Sequence, residues 1–169
     1  IIQKFLTKKM NTFTKERDYM IIYTLLHSGV RVSEVVKIKV EDINFLRQEL
    51  KVIGKRNKER IIFINKVNLN VIENYIRRNS LTEYLFPNMQ DVNKKPITPM
   101  YVAKICSKIT DNTNIDIHPH VFRHTYAQWL TDDGKDVRIV QQQLGHESIA
   151  TTQIYQSVRN EQVRKAINE

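Results

Sequence analysis

Apolar residues recur at helical spacing along most of the chain and alternate in one short central stretch. Tyr19, Ile22, Tyr23 and Leu26, spaced by threes and fours, predict a helix that Thr14 caps and Gly29 closes in a left-handed turn. Arg31 follows that turn directly and opens a second short helix whose apolar face is Val32, Val35 and Val36. Residues 3–9 read as a short helix or the tail of one. The period then changes to two: Ile43 to Phe45, Glu49 to Ile53 and Arg60 to Ile64 are predicted strands. Between the last two, Gly54-Lys55-Arg56-Asn57-Lys58 has hairpin composition, since Gly and Asn accept positive φ.

Helical spacing returns over residues 67–78 through Val67, Val71, Ile72 and Tyr75, and residues 80–97, with Pro87 and Pro96, read as a long loop. Thr98-Pro99 supplies a cap and a first-turn proline for a helix reaching about Thr110. Pro119 starts the next helix, which is expected to bury Val121, Phe122, Thr125, Trp129 and Leu130 and to end at Gly134, offering His120, Arg123 and His124 on its other face. Asp136 caps a helix over Val137, Val140 and Leu144 that stops at Gly145; Ser148 caps another over Ile149 to Tyr155; a final helix holds Val158, Val163 and Ile167. The predicted fold class is therefore mainly α with a small antiparallel three-stranded β-sheet, in a single domain over residues 1–169.

Composition narrows the class. With 41% hydrophobic and 27% charged residues the chain reads as globular, and neither a membrane-length apolar run nor a signal-peptide pattern is visible, which points to the cytoplasm and to no membrane partner. The chain opens Ile1-Ile2 without a Met and reads as a piece of a longer protein. One cysteine, Cys106, excludes an internal disulfide and a thiolate metal cluster; its place among Val102, Ile105 and Ile109 predicts a buried, inert thiol. A net charge of +9 and a pI near 9.7 favour a polyanionic partner. The excess lies early: residues 1–60 hold 14 Lys/Arg against 7 Asp/Glu, with a dense cluster at Lys55, Arg56, Lys58 and Arg60.

The chemistry-bearing stretch is His120-Val121-Phe122-Arg123-His124, followed by Leu144-Gly145-His146 and Tyr155. An Arg three residues after a His shares its helix face. Planar guanidinium groups bond two phosphate oxygens at once, which makes Arg31 and Arg123 candidates for holding a phosphodiester in flight. His120 and His146 can donate and accept protons near neutrality, and a lysine on the hairpin tip can protonate a leaving oxygen. Tyr155 is the candidate nucleophile: a phenol of pKa about 10 is a weaker base than a sugar hydroxyl, so its phosphate ester stays reversible. Two other chemistries fit parts of the pattern. His118, His120, His124 and His146 include the i, i+4 spacing of helical metal ligands and admit a metal-dependent phosphodiesterase, although Arg123 between them repels a cation. Asp136 to Tyr155 reads tolerably as a helix-turn-helix binding module without catalysis.

Ser28-Gly29-Val30-Arg31-Val32-Ser33-Glu34, Val52-Ile53-Gly54-Lys55, His120-Val121-Phe122-Arg123-His124, Leu144-Gly145-His146 and Tyr155 together resemble the catalytic domain of tyrosine recombinases, or phage-type integrases, in the right order over nearly the whole chain. The resemblance implies an active site of Arg31, Lys55, His120, Arg123, His146 and Tyr155, with Lys58 the alternative hairpin lysine. It implies a 3′-phosphotyrosyl intermediate with a 5′-hydroxyl leaving strand, no metal, no cofactor and no external energy source. The expected partner is double-stranded nucleoid DNA carrying specific recombination sites, engaged by a homotetrameric synaptic complex, with Arg56, Lys58, Arg60 and His124 as further DNA contacts. The last helix is expected to dock on a neighbouring protomer. Family members carry an N-terminal helical core-binding domain, which is expected to precede this chain; the isolated fragment should then be monomeric and bind DNA weakly and salt-dependently. Arg56 stands where many relatives have a second glycine. A type IB topoisomerase, relaxing DNA by related tyrosine chemistry, is the nearest alternative.

Overall fold

The computed structural model describes residues 12–145 and 160–168, so the predicted helices at residues 3–9 and 149–155 lie outside the described residues. The first described helix, α1 (Phe13–Ser28), starts two residues earlier than the pattern predicts. Thr12, not Thr14, is its cap, with extended backbone and a side chain accepting from the Lys15 N–H at 3.4 Å. Capping at Thr12 lets Phe13 join the helix, where its ring stacks on Tyr75 at 6.4 Å. Met20, Ile21, Ile22 and Leu25 of α1 are fully buried and form the centre of the main core. Gly29 closes α1 at φ 66°, and the four-residue α2 (Val32–Val35) follows directly from Arg31.

Strands β1 (Ile43–Asn44), β2 (Glu49–Ile53) and β3 (Glu59–Phe63) pair antiparallel in the order β1-β2-β3. The register sets Leu50 opposite Ile62 and Val52 opposite Arg60, so alternation carries Leu50, Val52 and Ile62 to the core. Positive φ in the connection falls on Arg56 (57°) and Asn57 (60°), and not on Gly54. The reason is local: the Gly54 N–H still bonds Lys58 O at 2.8 Å, which continues the ladder and confines the reversal to Lys55–Asn57.

Helix α3 (Lys66–Arg78) buries Leu69, Ile72 and Tyr75 and leaves Val67, predicted inside, 68% exposed. The long loop after it has no helix or strand, as expected, yet Leu85 and Phe86 are fully buried. Arg17 holds this loop: it is buried, its Nη1 donates to Pro87 O at 2.7 Å, and its guanidinium lies 4.7 Å from the Tyr101 ring centroid. Helix α4 (Pro99–Thr113) runs three residues past the predicted end before Asn114 takes a left-handed φ of 54°. Cys106 is buried on it as expected, and burial pushes its thiol up to about 11.

Helix α5 (Pro119–Asp132) buries Phe122, Tyr126 and Leu130, one every fourth residue. Trp129, expected inside, is 45% exposed with its ring 5.8 Å from that of His27. Tyr126 instead joins Leu130 and, from α6 (Val137–Leu144), Val140 and Leu144 in a second apolar cluster. Asp136 caps α6 by accepting from the Arg138 N–H at 2.8 Å, and Gly145 closes it at φ 65°. The final helix, α7 (Asn160–Asn168), packs on α6 and β3 through buried Val163 and Ala166. No helix among the described residues is long and apolar enough to cross a membrane.

One buried side chain registers α6 against the sheet. The Gln143 amide accepts from Phe63 N at 3.1 Å and donates to Phe63 O at 2.6 Å, acting as a one-residue extension of the ladder beyond β3. Gln143→Leu would orphan both of those buried backbone groups. The expected cost is about 2 kcal/mol, read as a lower denaturant midpoint at unchanged slope.

Candidate active site

The site begins at two helix-ending turns. Gly29 caps α1 in the left-handed region, and a side chain there would also collide with the Tyr126 ring and, at 2.8 Å, with Leu144 Cδ2. The turn delivers Arg31 to the start of α2, where Glu34, three residues on, reaches back to the Arg31 N–H through Oε2 at 2.8 Å. Arg31 Nη1 bonds Glu34 Oε1 at 3.1 Å, and its Nη2 crosses to the Gly145 carbonyl at 3.0 Å. Arg123, from the first turns of α5, donates through Nη1 to Gly29 O at 2.6 Å and through Nη2 to Leu144 O at 2.7 Å.

Two guanidinium groups thus bind the consecutive carbonyls 144 and 145 at the C-terminal end of α6. Those carbonyls lack intrahelical partners and sit at the negative end of the helix dipole, so they suit cations. Burial and the neighbouring charges of Arg31 and Arg60 lower Arg123 to about 10, with Glu34 opposing, and the group remains a cation at neutral pH. Each of the two arginines uses two of its five N–H donors on the described residues, leaving donors for an anion.

The other predicted positions distribute unevenly. Arg56 and Lys58 are exposed on the hairpin tip and, with Arg31, Arg60 and Gly145, line an open cleft of about 730 Å³. Lys55 belongs to the same tip, but its side chain, like all of His146 and Tyr155, lies outside what is described. His120 and His124 are exposed on α5, and the His120 ring sits 6.3 Å from that of His118. Among the described residues no three His, Cys, Asp or Glu side chains converge as metal ligands.

Arg60, expected as a DNA contact, lines this cleft with its guanidinium engaged by Glu34. Its side chain is 19% exposed and turned inward, with Nη1 on Glu34 Oε1 and Nη2 on Glu34 Oε2 at 2.9 Å. The reason is strand alternation: Arg60 shares the core face with Val52 and Ile62 and there needs an acid partner. Glu34 itself is 1% exposed at its side chain. Burial works to raise its pKa, but the bonds from Arg60 and the Arg31 N–H, together with the nearby positive charge, outweigh this and hold the carboxyl below its ordinary 4.5. Folding therefore favours the carboxylate: its contribution is complete above about pH 4.5 and is lost as pH falls through the lower folded value. Tm of the unsubstituted protein should accordingly fall more steeply with acid than that of Glu34→Gln, measured by thermal unfolding across that range.

A solved XerA recombinase has the same architecture, with a TM-score of 0.70 at 28% identity, covering 90% of this chain and 57% of its own. The fold is that of a tyrosine recombinase catalytic domain. Residues 2–162 match the phage integrase family, and the chain belongs to it. Tyrosine recombinase XerA of Pyrococcus furiosus is 39% identical over 155 residues, covering 90% of this chain and 54% of its own length. Tyrosine recombinase XerC of Staphylococcus carnosus is 40% identical over 156 residues, covering 88% and 52%. The chain spans about half the length of the curated relatives it matches.

Proposed function

We propose that this chain is the catalytic domain of a site-specific recombinase that cuts and rejoins double-stranded DNA through a 3′-phosphotyrosyl intermediate. What carries the reading is the tethering of Arg31 and Arg123 to carbonyls 145 and 144, immediately ahead of His146. Cations fixed in advance need no reorganisation when charge builds on the non-bridging oxygens. In the proposed step the Tyr155 phenol oxygen forms a bond to phosphorus as the bond from phosphorus to the 5′ oxygen breaks. One imidazole, that of His120 or His146, takes up the single phenol proton, and Lys55 supplies the proton that the 5′ oxygen needs. A 5′-hydroxyl of the partner strand then attacks the phosphotyrosine and reverses the chemistry, so one phosphodiester is exchanged for another without a cofactor.

Arg56 and Lys58, exposed at the cleft, and His124, exposed on α5, are assigned to the DNA backbone. The acting form is proposed to be a homotetramer on two recombination sites in the cytoplasm. The relatives' name, tyrosine recombinase, supports strand exchange rather than topoisomerase-like relaxation. The test is a nicked suicide substrate bearing the cognate site, incubated with the full-length protein in EDTA, followed by mass mapping of the tethered residue. Tyr155 is expected to carry the DNA. Binding without an adduct would instead make the chain a helix-turn-helix module, and an adduct formed only with metal would restore the phosphodiesterase reading.

A further inference from the structure

Three guanidinium groups, Arg31, Arg60 and Arg123, surround one buried carboxylate, Glu34. Glu34 accepts four hydrogen bonds: Oε1 from Nη1 of Arg60 and Nη1 of Arg31, and Oε2 from Nη2 of Arg60 and the Arg31 backbone N–H. Four bonds fill the acceptor capacity of a carboxylate. The sharing is unequal. Arg60 holds Glu34 as a two-pronged fork, whereas the Arg31 side chain keeps a single contact at 3.1 Å and turns its other prong to Gly145. Two-pronged pairing is the favoured geometry between a guanidinium and a carboxylate, so without Arg60 the Arg31 side chain would be the one to adopt it.

Gly145 fixes Arg60 from the opposite side. A methyl group at Gly145 would stand 2.5 Å from Arg60 Nε and 2.6 Å from its Cδ, so only a glycine allows the α6 turn to lie on this side chain. Arg60 Nε is buried there with no hydrogen-bond partner among the described residues, and the guanidinium is placed by its two prongs on Glu34 and by contact with Gly145. A lysine could supply charge at this position but not two directed bonds.

We infer that Arg60 is a positioning residue: it occupies Glu34 so that Glu34 cannot draw the second prong of Arg31 away from Gly145, and it seats the Gly145 turn that leads into His146. The inference rests on the proposed strand-transfer reaction. Three guanidinium groups against the one carboxylate of Glu34 leave a net positive charge toward a phosphodiester. Arg60 also sits on β3, one strand end of the hairpin whose tip contains Lys55, so it ties the hairpin to α2 and to the end of α6.

The experiment compares the full-length protein with R60M, R60K and the double variant E34Q/R60M. Single-turnover adduct formation on the suicide substrate is read beside DNA affinity at fixed salt. With Arg60 removed and Glu34 intact, adduct formation should slow by about 10²-fold, the scale of losing one preorganised donor, while Kd for DNA changes less than about threefold. R60K should lose activity in the same sense, since it keeps the charge and loses the fork. E34Q/R60M should recover about tenfold over R60M, because the neutral amide no longer competes for Arg31. Because removing both partners also relieves an unpaired buried carboxylate, Tm is read beside the rate: a structural role would move rate and Tm together, whereas positioning changes the rate at temperatures where every variant is folded. Equal losses in rate and affinity would make Arg60 a phosphate contact and overturn the inference, as would full activity of R60K or a double variant no faster than R60M. Should R60M not fold, R60K and the double variant carry the same comparison. Absence of any adduct with the unsubstituted protein would sink the recombinase reading itself, an outcome distinct from normal adduct formation by the Arg60 variants.

Discussion

Arg123→Ala in the full-length protein is expected to slow covalent adduct formation by about 10²–10³-fold, while DNA affinity falls by much less. The asymmetry follows from where the guanidinium is held. Its two prongs are fixed on Gly29 O and Leu144 O, so its remaining donors are presented in one orientation before any DNA arrives. A phosphodiester carries one negative charge in the ground state and gathers more on its non-bridging oxygens as the phenol attacks, and a rigid cation is worth most at that point. Arg123 also loses some of its cationic preference to burial and to Arg31 and Arg60, so an anion in the cleft relieves an unfavourable concentration of positive charge. Single-turnover rates against binding isotherms at one salt concentration measure the split. Equal losses in both would show that Arg123 only anchors the DNA.

The alanine variant also removes a tie between two turns. Arg123 joins the end of α1 to the end of α6, and Arg31 makes a second crossing from the same turn to Gly145. The site is therefore built on backbone carbonyls that two helix ends, each closed by a left-handed glycine, leave open to the arginines. This explains how an open cleft can hold charged side chains in fixed positions: the anchors are main-chain atoms of rigid elements and one buried carboxylate, Glu34.

Much of this was legible in the sequence, for identifiable reasons. Gly29 and Gly145 follow regular apolar spacing directly, and both prove to be left-handed helix ends. Arg31 and Arg123 were legible as a pair of cations, although periodicity gave no hint that both would be tethered to α6. Arg60 was not legible as an inward residue, because β3 reads Glu-Arg-Ile-Ile-Phe and both of its faces contain apolar residues. Only the register against Val52 decides which face is the core. Glu34 stood in plain view three residues after Arg31, but a lone acid carries no sign that two arginines will converge on it. Gln143 did leave a trace: it lies three residues after Val140, on the inner side of α6, where an unpaired amide would be costly. Trp129 misled because size and aromaticity argue for burial, whereas the four-residue steps from Phe122 through Tyr126 to Leu130 set the buried line.

The largest loss of stability from a single methyl group should come at Gly29. Gly29→Ala must hold an L side chain at φ 66° and place its Cβ against the Tyr126 ring and Leu144 Cδ2, both buried in the cluster between α5 and α6. Left-handed backbone costs roughly 1 kcal/mol for alanine and overpacking a closed core costs about 1–3 kcal/mol more, for an expected loss of about 2–4 kcal/mol. Gly134 provides the control within the same protein. It has φ 74°, but a Cβ there meets nothing within 4 Å, so Gly134→Ala carries the backbone penalty alone. The difference between the two variants in denaturant midpoint, at equal slope, isolates the steric contribution. Because Gly29 O also accepts from Arg123 and Arg31 lies two residues on, Gly29→Ala should lose adduct formation even at temperatures where it remains folded, and Gly134→Ala should not. Equal destabilisation by the two substitutions would mean that Tyr126 and Leu144 yield freely, and that the turn carrying Arg31 is not held by the packing beneath it.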